Sequence, residues 1–443
     1  MGLSGHGRWK ASLTSMQLDR AVGAIIASAA GDALGSAYEF GPGLSGTETP
    51  EFGRGVFGHA PGEWTDDTAM AMPILEALAG SRSLLDPATL ATIVARWREW
   101  SVTAKDVGVQ TRSVLGQLGD DCSEAVVREA AWAVHEESGR SAGNGSLMRT
   151  GPVALGFLAE GPEAVLAEAA GRIAQLTHCE QDNVDAVVLW SLAIRHAILT
   201  GEFDPKVGLE WVGRSAGGGV STSSTSGGEV LTGGRGRVST SSTGGGGVST
   251  GGGGRDPWEQ LIDEAMGSGA HPRDFKDKNG WVVAAFQGAL AAVAGASGVR
   301  DALIRAVRGG GDTDTVAAIA GSLAGAIWGA TQVPLSWQRV LHGWPGYRTD
   351  DLARLAILAA RGGRADLAGW PSATWAFLDD GGNLHLNGQD LGPVTKLVSV
   401  SPRPSRSRAA GAYRPPRSRR SAWFGPPRTT ARALRCSRSR GRG

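Results

Sequence analysis

Two short segments rich in threonine and aspartate carry the residues of this sequence best suited to chemistry. Residues 65–68 read Thr-Asp-Asp-Thr and open an apolar run. Residues 312–315 read Asp-Thr-Asp-Thr, follow three glycines and open a second apolar run. Both segments have the composition of a helix start, since Asp and Thr are favoured N-caps and acids suit the positive end of a helix. Capping alone explains either segment in isolation.

The presence of two such segments favours a metal site. Asp312, Asp314 and Thr315 crowd onto one helix start in an apolar body, where carboxylates need a cation or another partner. If the segment at 65–68 faces them, the two helix starts supply six oxygens. That donor set suits one or two octahedral cations such as Mg²⁺ or Mn²⁺, and not zinc, which prefers nitrogen and sulfur.

Two further acids lie near the predicted first helix, residues 17–37. Asp32 sits inside that apolar helix and needs a partner, and the sequence leaves a structural contact and a metal-shell role equally open. Glu39 follows, where the helix gives way to a Gly/Pro-rich loop at 41–62. Such loops commonly carry mobile site residues, although Glu39 taken alone is interpreted as a solvated loop acid.

A Gly/Ser/Asn-rich segment at 139–149 precedes an apolar helix predicted at 153–158. The backbone N–H groups of such helix entries can cradle a phosphate. In isolation the simpler interpretation is a plain turn. His178, at a predicted helix junction, is likewise interpreted on its own as a capping or packing residue.

These segments are positioned by helices. Hydrophobic periodicity predicts an all-α body, with Pro73 ending the first turns of its helix or kinking it, and with short strands only at 374–378 and 383–386. The other predicted helices cover 65–78, 87–101, 107–118, 123–137, 182–200, 256–266, 279–294, 301–307, 316–328, 334–341 and 351–358.

Composition divides the 443 residues into unequal parts. Residues 215–254 are Gly/Ser/Thr-rich near-repeats that cannot bury a core, so we predict a flexible insertion within a helical domain at 17–362. Residues 363–400 are predicted to be weakly ordered. Residues 401–443, which hold 13 Arg and no acid, are predicted to be a disordered tail. Because the net charge of the whole chain is only +1, the first 400 residues carry −12.

The charge distribution and the cysteines limit which binding partners and which cellular compartment we expect for the protein. The basic tail could contact nucleic acid through phosphates, but no folded scaffold supports recognition, so we expect no nucleic-acid partner. No apolar run is long enough to cross a membrane, and no secretory signal is visible. Cys122, Cys179 and Cys436 form an odd, widely spaced set that fits no zinc site, which predicts reduced thiols and a cytoplasmic protein.

Taken in order, five motifs resemble those of the ADP-ribosylglycohydrolase family, which includes the dinitrogenase-reductase-activating glycohydrolases. The resemblance covers residues 17–360 apart from the insertion. The insertion at 215–254 and the tail depart from the family pattern. The motifs are Gly-Asp-Ala-Leu-Gly at 31–35 with Glu39, Trp-Thr-Asp-Asp-Thr at 64–68, Gly-Asn-Gly-Ser-Leu-Met-Arg at 143–149, Thr-His at 177–178, and Gly-Gly-Asp-Thr-Asp-Thr at 310–315.

The resemblance implies an all-α, orthogonally packed bundle with two Mg²⁺ ions, or Mn²⁺, in a cleft. It implies hydrolysis at ribose C1″ of an ADP-ribosylated protein or an ADP-ribose-containing small molecule. Asp32 would belong to the shell around the metals, and Glu39 would be a mobile acid that closes over the site. The implied metal ligands are Thr65, Asp66, Asp67, Asp312, Asp314 and Thr315. The implied substrate-binding residues are Ser141, Gly143, Asn144, Gly145, Ser146 and His178.

The sequence leaves the general base open among Asp67, Asp314 and Glu39. It also leaves two other functions open. One is Mg²⁺-dependent phosphoester hydrolysis, which uses similar aspartate clusters. The other is a non-catalytic protein that binds ADP-ribose, which the two intact aspartate clusters disfavour.

Overall fold

The computed structural model describes residues 13–41, 43–158, 163–212, 256–363, 376–378, 383–386 and 389–393. The predicted fold class is confirmed: helices dominate this part of the chain and pack as an orthogonal bundle. The predicted insertion at 215–254 and the predicted tail at 401–443 lie outside the described residues, as does most of 363–400.

The α-helices are α1 Ser15–Gly35, α2 Asp66–Ala79, α3 Pro87–Thr103, α4 Val109–Gln117, α5 Glu124–Ser138, α6 Glu163–Gln175, α7 Gln181–Thr200, α8 Pro257–Ala265, α9 Val282–Ala294, α10 Val299–Gly309, α11 Thr313–Trp328, α12 Leu335–Val340 and α13 Thr349–Ala360. Short 3₁₀ helices lie at Asn144–Ser146, Gly151–Phe157, Leu209–Trp211, Pro272–Lys278 and Ala330–Gln332.

Two predicted helices differ from the structure. The apolar segment at 153–158 belongs to a 3₁₀ helix, Gly151–Phe157, because glycine and proline within it are poor α-helix formers. The helix predicted from residue 279 begins at Val282, after a separate 3₁₀ helix at Pro272–Lys278 whose start is capped by the His271 side chain. Helix α2 runs through Pro73 to Ala79.

The two helices at the centre of the bundle, α1 and α11, approach each other backbone to backbone. A Cβ added at Gly31 would overlap the carbonyl of Ala317, and one added at Gly325 would overlap the carbonyl of Gly23. Only glycine permits this separation at those positions. The Thr313 hydroxyl, at the start of α11, donates to the Gly35 carbonyl at the end of α1 at 2.8 Å. The close contact therefore sets the start of α11 beside the end of α1.

The start of α2 is held from the other side by a small hairpin. Strand β1 (His342–Gly343) pairs antiparallel with β2 (Tyr347–Arg348). The backbone N–H of Trp64 donates to the His342 carbonyl at 3.0 Å, and the N–H of His342 donates to the Gly62 carbonyl at 3.0 Å. The segment that leads into α2 is thereby fixed as an added strand.

A separate compact unit, residues 365–443, contains the remaining described strands. β3 (Ala376–Leu378), β4 (Asn383–Leu386) and β5 (Gln389–Pro393) form an antiparallel sheet in that order, and β3 and β4 lie where strands were predicted. None of the helices described is both long enough and apolar enough to cross a lipid bilayer.

Candidate metal centre and ligand pocket

Asp32 fixes the start of α2 against α1. Its Oδ1 accepts hydrogen bonds from the backbone N–H and the hydroxyl of Thr65, both at 2.8 Å. Its Oδ2 accepts from the N–H and the hydroxyl of Thr68, at 2.9 and 2.6 Å. These four donors match the four lone-pair sites of a fully buried carboxylate. These contacts give Asp32 a structural role, and because its carboxylate also belongs to one of the acidic groups described below, the metal-shell role stays a prediction.

Asp67 lacks part of this support. The Thr65 hydroxyl lies 3.0 Å from Asp67 Oδ2, but its single proton is shared with Asp32. Asp67 Oδ1 is buried and has no hydrogen-bond partner among the described residues. Buried carboxylate oxygens are normally paired, so an orphaned one aimed into an acidic cluster is a suitable cation ligand.

The second half of the centre is the start of α11. Gly310 and Gly311 both have positive φ, 84° and 76°, as their place before the helix suggested, whereas Gly309 is the last residue of α10. Asp312 is the residue that caps α11, and its N–H donates to Asn279 Oδ1 at 3.0 Å. Asn279 Nδ2 also donates to the Gly310 carbonyl at 3.0 Å. One buried amide therefore holds the turn that aims Asp312.

The fold brings the two aspartate segments together in two overlapping groups. Ligand oxygens of Asp32, Asp67 and Asp314 lie within 4.8 Å of one another, and so do those of Glu39, Asp312 and Asp314. Asp314 belongs to both groups. Oxygen donors at this density fit hard divalent ions. Thr65 and Thr315 are buried at the two helix starts that frame the groups.

In the absence of a cation, the electrostatics of these acidic groups disfavour the charged form of each carboxyl. Burial, followed by repulsion from neighbouring carboxylates, raises the pKa of Asp67 and of Asp314 well above the usual range. Burial raises the pKa of Asp32 to about 6, against the hydrogen bonds from Thr68 and Thr65 that lower it. Burial and the charge on Asp312 raise the pKa of Glu39 to about 8. A divalent cation would offset this repulsion.

Asp66 is the predicted aspartate ligand that neither group includes. Its carboxyl accepts a hydrogen bond from the Gly108 backbone, and burial, then the charge on Asp32, raise its pKa to about 7. Asp106 lies on the same loop as Gly108. Burial, then the charge on Asp66, raise its pKa to about 8, and its Oδ1 is 3.7 Å from His59 Nε2. These two acids form a second, metal-flanking acidic patch.

The predicted phosphate loop meets the metal centre at Asn144. Asn144 Nδ2 donates to Asp312 Oδ2 at 2.7 Å and to the Asn279 carbonyl at 2.8 Å. On the other side of the loop, Asn183 of α7 donates from Nδ2 to the Gly143 carbonyl and to Ser146 Oγ, each at 2.7 Å. The loop is thus held on one side by Asn183 of α7 and on the other by Asp312 of the candidate metal centre.

The side chains of Ser141 and Ser146 are engaged within the protein. Ser141 is buried, and its hydroxyl lies 2.7 Å from His135 Nδ1 and 3.1 Å from Glu180 Oε1. Its backbone N–H also donates to Glu180. Ser141 therefore faces a carboxylate, which disfavours a phosphate on that side, and Gly143, Asn144 and Gly145 form the more accessible part of the loop.

His178 packs against the two loop glycines. A Cβ added at Gly143 would lie 3.3 Å from His178 Nε2, and one at Gly145 would lie 3.1 Å from Cε1. The ring is buried, and burial together with the charge on Arg149 keeps its pKa well below the usual range. The structure therefore brings His178 to the loop as expected from the motif order.

Four residues that contact this site were absent from the sequence-based set: Asn183, Asn279, Asp106 and Glu180. Asn279 precedes a glycine in a polar turn, which resembles any loop. Asp106 lies between the helices predicted at 87–101 and 107–118, where nothing marked it as a site residue. Each acts through contacts with residues distant in the chain, so local sequence gave no signal.

Comparison with known proteins gives a consistent result. Residues 13–366 match the family model described as ADP-ribosylglycohydrolase. The chain is 30% identical over 328 residues to an ADP-ribosylarginine hydrolase, Tri1, of Pseudomonas putida, covering 72% of this chain and 73% of the relative. It is 26% identical over 338 residues to the ADP-ribosyl-[dinitrogen reductase] glycohydrolase of Rhodospirillum rubrum, covering 72% and 89%. A solved structure titled ADP-ribosylglycohydrolase-related protein complex matches with a TM-score of 0.51 at 24% identity, covering 79% of this chain and all of that one, which supports the fold.

Proposed function

This chain belongs to the ADP-ribosylglycohydrolase family of hydrolases that remove ADP-ribose from modified substrates, and we propose that it cleaves the bond at ribose C1″ of an ADP-ribosylated protein with two Mg²⁺ ions. The observation that carries this proposal is the pair of acidic groups that share Asp314. Mn²⁺, which has similar ligand preferences, is an alternative ion.

The donor set fits the proposed ions. It is composed of carboxylate oxygens, it includes the orphaned Oδ1 of Asp67, and it carries more negative charge than its hydrogen bonds offset. Asp67, Asp312 and Asp314 would hold the cations, with Thr65 and Thr315 beside them, and Asp66 nearby. Cations held there would supply Lewis-acid activation of a water molecule and orientation of the ribose hydroxyls.

The protein's own groups perform the proton transfers. Cleavage breaks the C1″ bond to the leaving group through a transition state with positive charge at C1″, as in glycoside hydrolysis. The oxygen of water bonds to C1″, one of its protons passes to a carboxylate, and the leaving group takes up a proton. Glu39 is partly exposed, lies in the turn that follows α1 and is close to Asp314 and Asp312. We infer that Glu39 is the proton carrier, and that Asp67 and Asp314 serve as ligands.

We also propose that the linkage is to arginine. Two relatives are named ADP-ribosylarginine hydrolases, from Pseudomonas putida and Serratia proteamaculans. The acidic patch of Asp66 and Asp106 offers carboxylates beside the centre that are not needed as ligands. A guanidinium is planar and cationic and pairs well with carboxylates, whereas a serine linkage has no positive charge to place there.

The test is release of ADP-ribose by the full chain. The protein is incubated with ADP-ribosyl-arginine protein or ADP-ribosyl-serine protein, in Mg²⁺ or EDTA, and free ADP-ribose and AMP are quantified. We expect Mg²⁺-dependent ADP-ribose from the arginine-linked substrate. Release of AMP would indicate a phosphoester hydrolase, and tight ADP-ribose binding without release would indicate a binding protein.

The role of Asp106 can be tested separately. Asp106→Asn removes the carboxyl that a bound guanidinium would hold in its charged form, without changing the shape of the side chain. We expect a KM for the arginine-linked substrate that is about tenfold higher, because a charge-assisted contact is lost, with little change in kcat. The affinity for free ADP-ribose, which has no guanidinium, should be unchanged. Equal effects on substrate and on free ADP-ribose would contradict the assignment.

A further inference from the structure

Arg149 is a buried cation that forms no salt bridge in the described part of the chain, although the charge on Asp66 acts on it from farther away. Its side chain is fully buried, and Nε and Nη1 have no hydrogen-bond partner among the described residues. The guanidinium carbon lies 4.3 Å from the centroid of the Trp97 ring, a cation–π contact. Nη2 donates to the Ile173 carbonyl at 3.2 Å and to the Thr177 hydroxyl at 2.7 Å. Burying a charge this way is costly, which calls for a role beyond packing.

Thr177 links Arg149 to His178 through hydrogen bonds. Arginine has donors only, so the Thr177 oxygen must accept from Arg149, which leaves the threonine proton to be donated. The acceptor within reach is Nδ1 of His178, 2.7 Å from Thr177 Oγ1. A ring that accepts at Nδ1 and is neutral carries its proton on Nε2.

The opposite edge of the ring faces the ligand loop. His178 is only 2% exposed, and Nε2 has no hydrogen-bond partner among the described residues. The two glycines of the loop lie on that side: a Cβ at Gly143 or at Gly145 would lie 3.3 Å from Nε2. Gln110 Oε1 would lie 3.5 Å from the added Cβ of Gly143, and Thr111 Oγ1 would lie 3.8 Å from that of Gly145. The absence of both side chains leaves space at this nitrogen for a ligand atom.

We propose that Arg149 and Thr177 are positioning residues that hold His178 neutral with its proton on Nε2, so that this N–H donates to an acceptor oxygen of the ADP-ribose unit bound along the loop. This inference rests on the proposed function for its ligand. The charge on Arg149 opposes protonation of the ring, and the Thr177 hydroxyl opposes the other tautomer. The histidine is thereby set as a donor before any ligand arrives.

The tautomer is measured first, on the ligand-free full chain labelled with ¹⁵N-histidine. The His178 signals are assigned by their loss in His178→Asn, and the shifts of the two ring nitrogens identify the protonated one. We expect protonation on Nε2 alone, with the Nδ1 signal showing an accepted hydrogen bond. Thr177→Val should shift the Nδ1 signal, and Thr177→Ser, which keeps the hydroxyl, should restore it. Protonation on Nδ1, or a doubly protonated ring at neutral pH, would overturn the proposal whatever the enzyme's substrate.

The second measurement is the affinity for free ADP-ribose by calorimetry. We expect Thr177→Val to bind about tenfold more weakly, since the ring is no longer fixed, and Thr177→Ser to bind like the unmodified protein. Thr89→Val is the matched control: Thr89 is equally buried and donates to Asp86 Oδ2 at 3.1 Å, remote in sequence from the loop. Unchanged affinity in Thr177→Val would overturn the positioning role. Failure of the unmodified protein to bind ADP-ribose would instead overturn the proposed function, while the tautomer result would stand.

Discussion

The carboxylate of Asp314 shows what a single residue contributes to this site. Its Oδ1 accepts a hydrogen bond from the Thr315 backbone at 2.9 Å, and its oxygens lie among those of four other acids. In the metal-free protein that neighbourhood favours the neutral form. The same residue is therefore unfavourable for stability without metal and central to metal binding, and these two effects can be separated by experiment.

For Asp314→Asn we expect loss of Mg²⁺-dependent ADP-ribose release by about two orders of magnitude or more, since a shared ligand is removed. The melting temperature in EDTA should rise, because a buried repulsive acid is gone, and the further rise on adding Mg²⁺ should shrink. Scanning fluorimetry with and without Mg²⁺ measures both. Asp350→Asn is the control, since Asp350 also lies in the first turn of a helix, α13, away from the acidic groups. Near-normal turnover of Asp314→Asn at saturating Mg²⁺ would refute the two-metal hypothesis.

Among single residues, the motif aspartates could be selected from the sequence, because their type and their spacing after a Gly-Gly pair mark them as candidates. The residues that hold the motifs in place by hydrogen bonds could not. Two supporting residues lie far along the chain from the groups they contact. Asn279 hydrogen-bonds to the backbone of Asp312 and Gly310, and Glu180 accepts a hydrogen bond from Ser141. Nothing in local composition distinguishes them from other loop polar residues.

Among the elements, the pair α1 and α11 determines where the aspartates lie. Both helices are buried on nearly all sides, so periodicity could locate them but could not assign a facing side. The sequence shows three glycines in α1, Gly23, Gly31 and Gly35. It could not identify α11 as the partner, because that depends on matching glycines and alanines almost 300 residues away.

Gly325→Ala tests this contact. The new methyl group would overlap the backbone of Gly23, so we expect the free energy of unfolding to fall by about 1–3 kcal/mol. The affinity for Mg²⁺ should fall too, since the helices that carry Asp32 and Asp314 are pushed apart. Chemical denaturation and Mg²⁺ titration are the measurements.

Gly116→Ala provides the matched control. Gly116 lies in α4, where an added Cβ would meet no atom within 4 Å. Here alanine should stabilise the protein by about 0.5–1 kcal/mol through its higher helix propensity. If both substitutions had the same effect, backbone proximity of α1 and α11 would not be the determining factor.

For the whole molecule, the acidic centre predicts an unusual dependence of stability on pH. The pKa values of Glu39, Asp66, Asp106 and Asp32 are raised on folding, to between about 6 and about 8, so the metal-free folded state binds more protons than the unfolded state from about pH 4 upward. In this respect its stability should therefore be highest below about pH 4 and fall as pH rises from about 4 to about 8. Denaturant titrations in EDTA at pH 5 and pH 8 test this. Saturating Mg²⁺ should reduce or reverse the difference, and stability in EDTA that increases with pH would contradict the prediction.

The segment between α7 and α8 should be dispensable. Helix α8, which follows it, is anchored independently: the Trp258 ring packs edge-on against Phe286, 5.3 Å between centroids, and Lys206 Nζ pairs with Asp263 at 2.6 Å. Replacing residues 215–254 by a Gly/Ser linker of about ten residues should leave kcat/KM and the melting temperature unchanged. Trp258→Ala, which removes the anchor itself, should lower the melting temperature. Reduced activity of the shortened chain at an unchanged melting temperature would give the segment a functional role.

The hydrogen bond between Thr313 and Gly35 joins the start of α11 to the end of α1. During synthesis it can form only after α11 has left the ribosome. A ribosome adds about 5–20 residues per second, so α11 leaves it roughly 15–60 s after α1. Throughout that interval the glycine face of α1 has no partner, and Asp32 can hold α2 but Asp67 cannot meet Asp314. The candidate metal centre is therefore one of the last features that a nascent chain completes. A chain terminated before α11 would carry four of the five motifs without the acids that complete the centre.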